Sequence, residues 1–135
     1  MKRRFMLDTN AVRCLLERRS PILDQWFAEE RCSLSAIVAA EIRYGLARQQ
    51  LSQARSTLVE ELLCVLPIEP FDAQVAAVYG QLRAALQRAG RSLSAMDLLI
   101  ASHALALGCT LVSADRAYQQ VPELQLAELT GLATP

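Results

Sequence analysis

Four acidic residues of this chain each lie where a short apolar segment meets a predicted helix. They are Asp8, Glu41, Asp97 and Asp115. Carboxylates repel one another at close range, so several of them share a crevice only when cations neutralise their charge. Magnesium is a hard cation that prefers oxygen ligands and requires neither histidine nor thiolate. The four acids therefore predict a Mg²⁺ site, which would suit the hydrolysis of a phosphodiester bond.

The framework that must position these acids is predicted from alternating strands and helices. Apolar segments predict short strands at 5–7, 32–34, 65–68, 110–112 and 124–126. Capping residues predict helix starts at Ser20, Ser35, Ser52, Asp72 and Ser94. Glycines at positions 90 and 108 mark two helix ends. This alternation predicts an α/β fold, with helices packed around a mainly parallel sheet of five strands.

The predicted framework brings the four acids to one end of the sheet. Asp8 ends the first strand, and Asp115 lies just beyond the fourth. Glu41 lies two turns into the helix after the second strand, and Asp97 lies in the first turn of the helix before the fourth. Ligands of doubly wound sheets bind at the carboxyl ends of the strands, where the strand order reverses. The acids converge there if the first and fourth strands are neighbours.

Five further residues are predicted to support this site. Thr9, Asn10 and Ser113 are polar neighbours that would orient the carboxylates or a metal-bound water. Arg83 and Arg116 are predicted to contact RNA, because the planar guanidinium group matches the geometry of phosphate.

The only histidine, His103, is not predicted to belong to the site. It follows Asp97 by six positions, which places it well round the helix from that carboxylate. It is predicted to pack in or near the core. The helix that carries it is apolar almost all round between positions 98 and 107, which is typical of a buried helix.

Composition predicts one domain spanning residues 1–135. The apolar content of 53% is ample for one core, and 14 basic and 14 acidic residues cancel, so any contact with nucleic acid must be local. Four scattered cysteines form no metal-binding cluster and are predicted to be small core residues in a reducing compartment. No apolar run approaches the ~20 residues that cross a bilayer. We expect a soluble, cytoplasmic protein without a membrane partner.

Four segments resemble, in order and spacing, the acidic motifs of PIN-domain ribonucleases. They are FMLDTN at 5–10, VAAEIRYG at 38–45, MDLLIASH at 96–103 and TLVSADR at 110–116. The chain is most similar to the VapC toxins of bacterial VapBC toxin-antitoxin pairs. The resemblance extends over nearly the whole length and includes VYGQLR at 78–83 and RAGR at 88–91. It implies a three-layer α/β/α PIN-like fold and an endoribonuclease that inhibits translation, with transfer RNA, often the initiator, or a ribosomal RNA loop as substrate.

The resemblance also implies roles and partners. Asp8, Glu41 and Asp97 would bind Mg²⁺ or Mn²⁺, and Asp115 would complete the site directly or through water. The implied partners are an RNA substrate, a second copy in a homodimer, and a VapB-like antitoxin that places a basic or bulky side chain in the acidic pocket and carries the complex to operator DNA.

The chain departs from the family pattern at several positions. Ala114 replaces a residue that is often Asn, Tyr118 replaces the usual Phe, and Glu123 replaces the Gly of a Val-Pro-Gly-Leu turn. The common terminal Trp is missing as well. None of these changes removes an implied metal ligand.

Each acid also has a purely structural interpretation. Asp8 and Asp115 are placed as ordinary helix N-caps, Asp97 follows Ser94 at the spacing of a capping box, and Glu41 suits a solvated helix position. The alternative function is a non-catalytic PIN-like partner of a DNA-binding antitoxin, acting in transcriptional regulation. Two other enzyme classes fit less well, because an Asp-x-Asp phosphotransferase needs Asp where Asn10 lies, and dinucleotide binding needs a glycine-rich loop after the first strand.

Overall fold

A computed structural model describes residues 4–132 and shows five parallel strands in that range. The strands are β1 (Phe5–Leu7), β2 (Cys32–Ser35), β3 (Ile68–Glu69), β4 (Thr110–Ser113) and β5 (Leu126–Glu128). Their spatial order is β3-β2-β1-β4-β5, and every neighbouring pair is parallel. Because β1 and β4 are neighbours, the strand order reverses between them, and the crevice at their carboxyl ends lies where the sequence predicts it.

Six α-helices in the described range flank this sheet. They are α1 (Thr9–Leu16), α2 (Pro21–Ala28), α3 (Ala36–Arg48), α4 (Gln53–Val65), α5 (Ala73–Arg88) and α6 (Ala95–Leu107). Consecutive residues of β1 and β2 are all buried, so both faces of the sheet's centre are covered. The predicted three-layer α/β/α fold is confirmed. The predicted single domain includes residues 1–3 and 133–135, which lie outside the described part of the chain.

Local capping signals fix where the helices begin and end. Every predicted N-cap side chain accepts a hydrogen bond from a backbone N–H of its helix, as do Asp8 and Asp115. Gly108 ends α6 in the left-handed region at φ 66°, a conformation that costs glycine little. These caps matter for the site, because Asp8 opens α1 and Ser94 opens the helix that carries Asp97.

Two predicted strands are placed differently in the structure. The third was predicted at 65–68, but α4 continues to Val65 and β3 is only Ile68–Glu69. Leu63 and Leu66 are buried at a helical spacing while Val65 is 64% exposed, so the apolar run follows the helix period until Pro67. The last strand was predicted at 124–126 but is Leu126–Glu128, because a turn extends as far as Leu124, whose N–H donates to the carbonyl of Val121.

Burial corrects one further prediction, which concerns the cysteines. Cys14, Cys32 and Cys109 are buried as predicted, whereas Cys64 is exposed. Burial raises the pKa of the Cys32 thiol to about 12, which keeps it protonated and unreactive. Within residues 4–132, no helix combines the length and the apolar character that crossing a bilayer would require.

Candidate active site

Asp8 lies in the crevice between β1 and β4 and is only 6% exposed. Its backbone N–H donates to the carbonyl of Val112, and its Oδ1 accepts from the N–H of Ala11 at 2.8 Å. Burial raises the pKa of Asp8, and the nearby charge of Asp115 adds to this effect. Hydrogen bonds from Ser113 and from the backbone oppose the rise. Asp8 is therefore both a helix cap and a buried carboxylate whose ionised form is disfavoured by its surroundings.

Ser113, at the end of β4, links Asp8 to Asp115. Its Oγ accepts a hydrogen bond from the N–H of Asp115 at 3.0 Å, which leaves the hydroxyl proton free to be donated to Asp8. Asp115 itself is exposed and caps the short 3₁₀ helix Arg116–Gln120 by accepting from the N–H of Ala117 at 2.9 Å. One buried hydroxyl group thus fixes the relative placement of two of the predicted acids.

Glu41 approaches the same crevice from α3. The Thr9 hydroxyl donates to its Oε1 over 3.4 Å, a long hydrogen bond that connects the start of α1 with α3. The pKa of Glu41 is raised by partial burial and by the charges of Asp97 and Asp8, while the Thr9 hydroxyl lowers it. Thr9 therefore contacts one of the predicted acids, and its role in orienting a carboxylate stays a prediction.

Asp97 reaches the site from the first turn of α6. Its backbone N–H donates to the Oγ of Ser94 at 3.1 Å, and its side chain accepts from the hydroxyl of Tyr118 at 3.1 Å. Tyr118 is 2% exposed, and its pKa is raised by burial and by the charges of Asp97, Asp8 and Asp115. The phenol is therefore a neutral donor within the group of acids.

Tyr118 was not among the predicted site residues. The sequence shows only a departure from the usual Phe at this position, and nothing in its local pattern says where the hydroxyl points. Its contact with Asp97 spans 21 positions and depends on how the short helix after β4 packs against α6.

The remaining predicted residues lie at or beyond the edge of the site. Asn10 is exposed, and its backbone N–H supports Asp8. Arg116 lines a 220 Å³ pocket together with Ser113 and Asp115. Arg83 lies on α5, where its guanidinium group donates to the Tyr79 hydroxyl at 2.9 Å. In the described part of the chain, no hydrogen bond or salt bridge connects Arg83 to the acids.

The acids of this site form no salt bridge with the basic side chains of the described residues. The salt bridges between positions 4 and 132 engage Glu17, Asp24, Glu29 and Glu60 rather than a site acid. The donors available for a cation are carboxylate and hydroxyl oxygens, which fit Mg²⁺ or Mn²⁺.

The same residues do not form a finished metal cage. Across residues 4–132, no group of three or more His, Cys, Asp or Glu side chains is gathered so that it could hold a metal ion as it stands. Mutual repulsion keeps unneutralised carboxylates apart, so a cation is needed to draw them closer together.

An apolar groove of about 840 Å³ adjoins the acids. It lies between α1, α3 and α4, and Thr9 and Glu41 form part of its wall beside Val12, Leu16 and Ile37. Two of its lining side chains are large and exposed, Tyr44 at 64% and Met96 at 42%. Arg13, Arg48 and Arg55 also line the groove, and a largely apolar exposed surface of this kind is typical of a protein-binding site.

Comparison with known proteins decides the family. The sequence pattern of the PIN domain matches residues 5–124. The chain belongs to the PIN-domain family. A Rickettsia felis protein named ribonuclease VapC2 is 31% identical over 127 residues, which cover 90% of this chain and 95% of that protein. A Shigella flexneri protein named tRNA(fMet)-specific endonuclease VapC is 28% identical over 112 residues, covering 82% and 85%.

Solved structures agree with this PIN-domain assignment. The crystal structure of VapBC2 from Rickettsia felis bound to a DNA fragment from their promoter contains a chain with a TM-score of 0.81 and 28% identity, covering 95% of this chain and 98% of that one. DNA-bound VapBC from Salmonella typhimurium gives a TM-score of 0.82 at 29% identity, covering 93% and 97%. The predicted resemblance to VapC proteins is confirmed.

His103 is part of the core of this PIN domain, as predicted. It is completely buried, and its Nδ1 lies 2.7 Å from the Oγ of Ser35, the N-cap of α3. The same Oγ accepts from the N–H of Ile37 at 3.0 Å, so one hydroxyl group links the buried ring to the first turn of α3. Nε2 makes no hydrogen bond of good geometry within residues 4–132.

Acidification should destabilise this PIN domain through His103. Burial lowers the pKa of His103 below its ordinary value of 6.5, although Glu69, Asp72 and the carbonyl of Pro70 partly oppose the shift. A histidine whose pKa is lower in the folded protein than in the unfolded chain contributes its full stabilisation above the unfolded-state pKa. This contribution is lost as the pH falls below about 6.5. We expect the free energy of unfolding to fall between about pH 7.5 and 5.5, with a shallower slope for His103→Gln. Urea unfolding across this range measures both slopes, and equal slopes would contradict the assignment.

Proposed function

We propose that this chain is a metal-dependent endoribonuclease toxin of a VapBC pair. The observation that carries the proposal is the gathering of Asp8, Glu41, Asp97 and Asp115 around the β1/β4 crevice, where no salt bridge within residues 4–132 engages any of them. A structural role as helix caps accounts for Asp8 and Asp115 but not for the crowding of the charges. The names of the relatives, ribonuclease and tRNA(fMet)-specific endonuclease, support the same reaction class.

Asp8, Glu41 and Asp97 would hold Mg²⁺ or Mn²⁺, with Asp115 completing the site directly or through water. When bound, such an ion acidifies a water molecule and offsets the charge that develops on the phosphate. The Thr9 hydroxyl holds one oxygen of Glu41, and the Ser113 hydroxyl holds Asp8, so both carboxylates are oriented before substrate arrives.

The substrate that we propose is a structured RNA, namely a transfer RNA such as the initiator. An RNA loop suits the site because its unpaired bases can be splayed out while its backbone enters the crevice. Arg116 lies beside Asp115 at the edge of the site and is placed to contact a phosphate there. Arg83 lies on α5, so it would contact the RNA only if the RNA backbone extends beyond the crevice.

The groove beside Glu41 is our candidate for the antitoxin-binding surface. Its apolar wall suits an amphipathic segment, and its border with Thr9 and Glu41 would let such a segment place a basic or bulky side chain among the acids. We further propose a cytoplasmic homodimer that reaches operator DNA only through a VapB-like antitoxin. Two related complexes are described as bound to DNA, which supports that arrangement.

The test of this function is cleavage of total bacterial transfer RNA by the purified, antitoxin-free protein. Parallel reactions contain Mg²⁺, Mn²⁺ or EDTA, and ribosomal RNA serves as the second substrate. We expect discrete cuts in the presence of either cation and none with EDTA. If both RNAs stay intact in every reaction while the protein still binds its antitoxin, the non-catalytic regulatory function replaces the nuclease.

A further inference from the structure

The hydroxyl group of Tyr118 lies in the acidic site, on a segment that has no role in the proposed function. The ring is 2% exposed, and its hydroxyl, the one polar group of the side chain, donates to Oδ1 of Asp97 at 3.1 Å. A buried hydroxyl requires a partner, and a carboxylate is a strong one. The hydrogen bond joins the 3₁₀ helix that follows β4 to the first turn of α6.

The backbone that carries Tyr118 is fixed at both ends. At its start, Asp115 caps the 3₁₀ helix through the N–H of Ala117. At its end, the side chain of Gln120 donates to the carbonyl of Ser92 at 3.0 Å, and the guanidinium group of Arg91 donates to the carbonyl of Gln120 at 2.9 Å. Both contacts connect the short helix to the segment just before α6. The phenol is therefore held at a defined place relative to Asp97.

We propose that Tyr118 is a positioning residue that orients Asp97 for cation binding. The phenol occupies one lone pair of Oδ1, which fixes the carboxylate plane and leaves Oδ2 available. It is a neutral donor, so it orders the carboxylate without adding charge to a crowded site. This inference rests on the proposed function, because it assigns Tyr118 a role in the same metal site. Partners that orient metal ligands typically change metal affinity by 10- to 100-fold.

The test compares Tyr118→Phe with Tyr79→Phe in the antitoxin-free protein. Phe keeps the buried ring and removes only the hydroxyl, and Tyr79 is a matched control whose hydroxyl bonds Arg83 on α5. Isothermal titration with MnCl₂ should give a Kd about 10-fold higher for Tyr118→Phe and an unchanged Kd for Tyr79→Phe. The Mn²⁺ concentration for half-maximal RNA cleavage should rise by the same factor. Thermal melting shows whether each variant folds. If Tyr118→Phe does not fold, Tyr118→Met, which also lacks a hydroxyl group, takes its place.

The outcomes separate this inference from the proposed function. A Tyr118→Phe protein with the wild-type Kd or a lower one overturns the positioning role, while wild-type cleavage leaves the nuclease intact. A lower melting temperature with an unchanged Kd shows a structural role only and also overturns the inference. Wild-type protein that neither binds Mn²⁺ nor cleaves RNA overturns the nuclease and this inference together.

Discussion

Asp8→Asn should lower the rate of RNA cleavage about 1,000-fold without weakening the fold, a loss equivalent to about 4 kcal/mol of transition-state stabilisation. Asn is isosteric with Asp but neutral, so it cannot replace a carboxylate that holds a cation. The fold should tolerate the change, because Asn is as good an N-cap as Asp and can still accept from the N–H of Ala11. Since burial raises the pKa of Asp8, the ionised group opposes folding at neutral pH, and its removal should leave the melting temperature equal or higher.

Asp72→Asn is the matched control for this experiment. Asp72 caps α5 by accepting from the N–H of Val75 at 3.0 Å, so the same substitution is made at the same kind of position. We expect cleavage by this variant to stay within about two-fold of wild type, since surface substitutions away from a site change little. Cleavage rates from single-turnover assays, together with melting curves of both variants, distinguish a metal ligand from a structural cap. If Asp8→Asn lost activity only in proportion to lost folded protein, Asp8 would be a structural cap.

Tyr44→Ala should weaken antitoxin binding about 30-fold, which corresponds to about 2 kcal/mol. Tyr44 is 64% exposed on the wall of the groove, and its ring lies under the guanidinium group of Arg48 at 5.4 Å. Exposed aromatic side chains in apolar grooves commonly dominate the energy of protein interfaces. Little stability should be lost, because the ring is largely outside the core.

The control for Tyr44→Ala is Val65→Ala. Val65 is equally exposed at 64% but lies at the end of α4, outside the groove. The probe is a purified VapB-like antitoxin, with affinity measured by surface plasmon resonance. Tyr44→Ala should lose affinity, Val65→Ala should keep it, and both should cleave RNA at nearly the wild-type rate. Equal effects of the two substitutions, or none from Tyr44→Ala, would place the antitoxin on another surface.

Local signals explain why much of the fold was predictable. The N-caps at Ser35, Asp72 and Ser94 are each decided by a side chain and a backbone N–H two or three residues apart, so the sequence alone contains them. The sequence did not decide whether β1 and β4 are neighbours, because strand order depends on how the whole sheet assembles, and the structure supplies this pairing.

The errors arose where one pattern fits two structures or where the contacts are distant. The run from Leu62 to Ile68 suits a helix or a strand, and only its burial shows that the helix period holds as far as Leu66. The contact between Tyr118 and Asp97 joins two elements across the site, so no local pattern predicts it. For the same reason, the sequence places Glu41 on a helix but does not reveal its link to Thr9.

Anomalous diffraction from Mn²⁺-soaked crystals of the free protein tests most directly whether the acids at the β1/β4 crevice bind a divalent cation. We expect an anomalous peak between Asp8 and Asp97, and no peak in Asp8→Asn crystals. A protein that cleaves RNA but shows its Mn²⁺ elsewhere, or shows none at saturating Mn²⁺, would show that these acids are not the metal site.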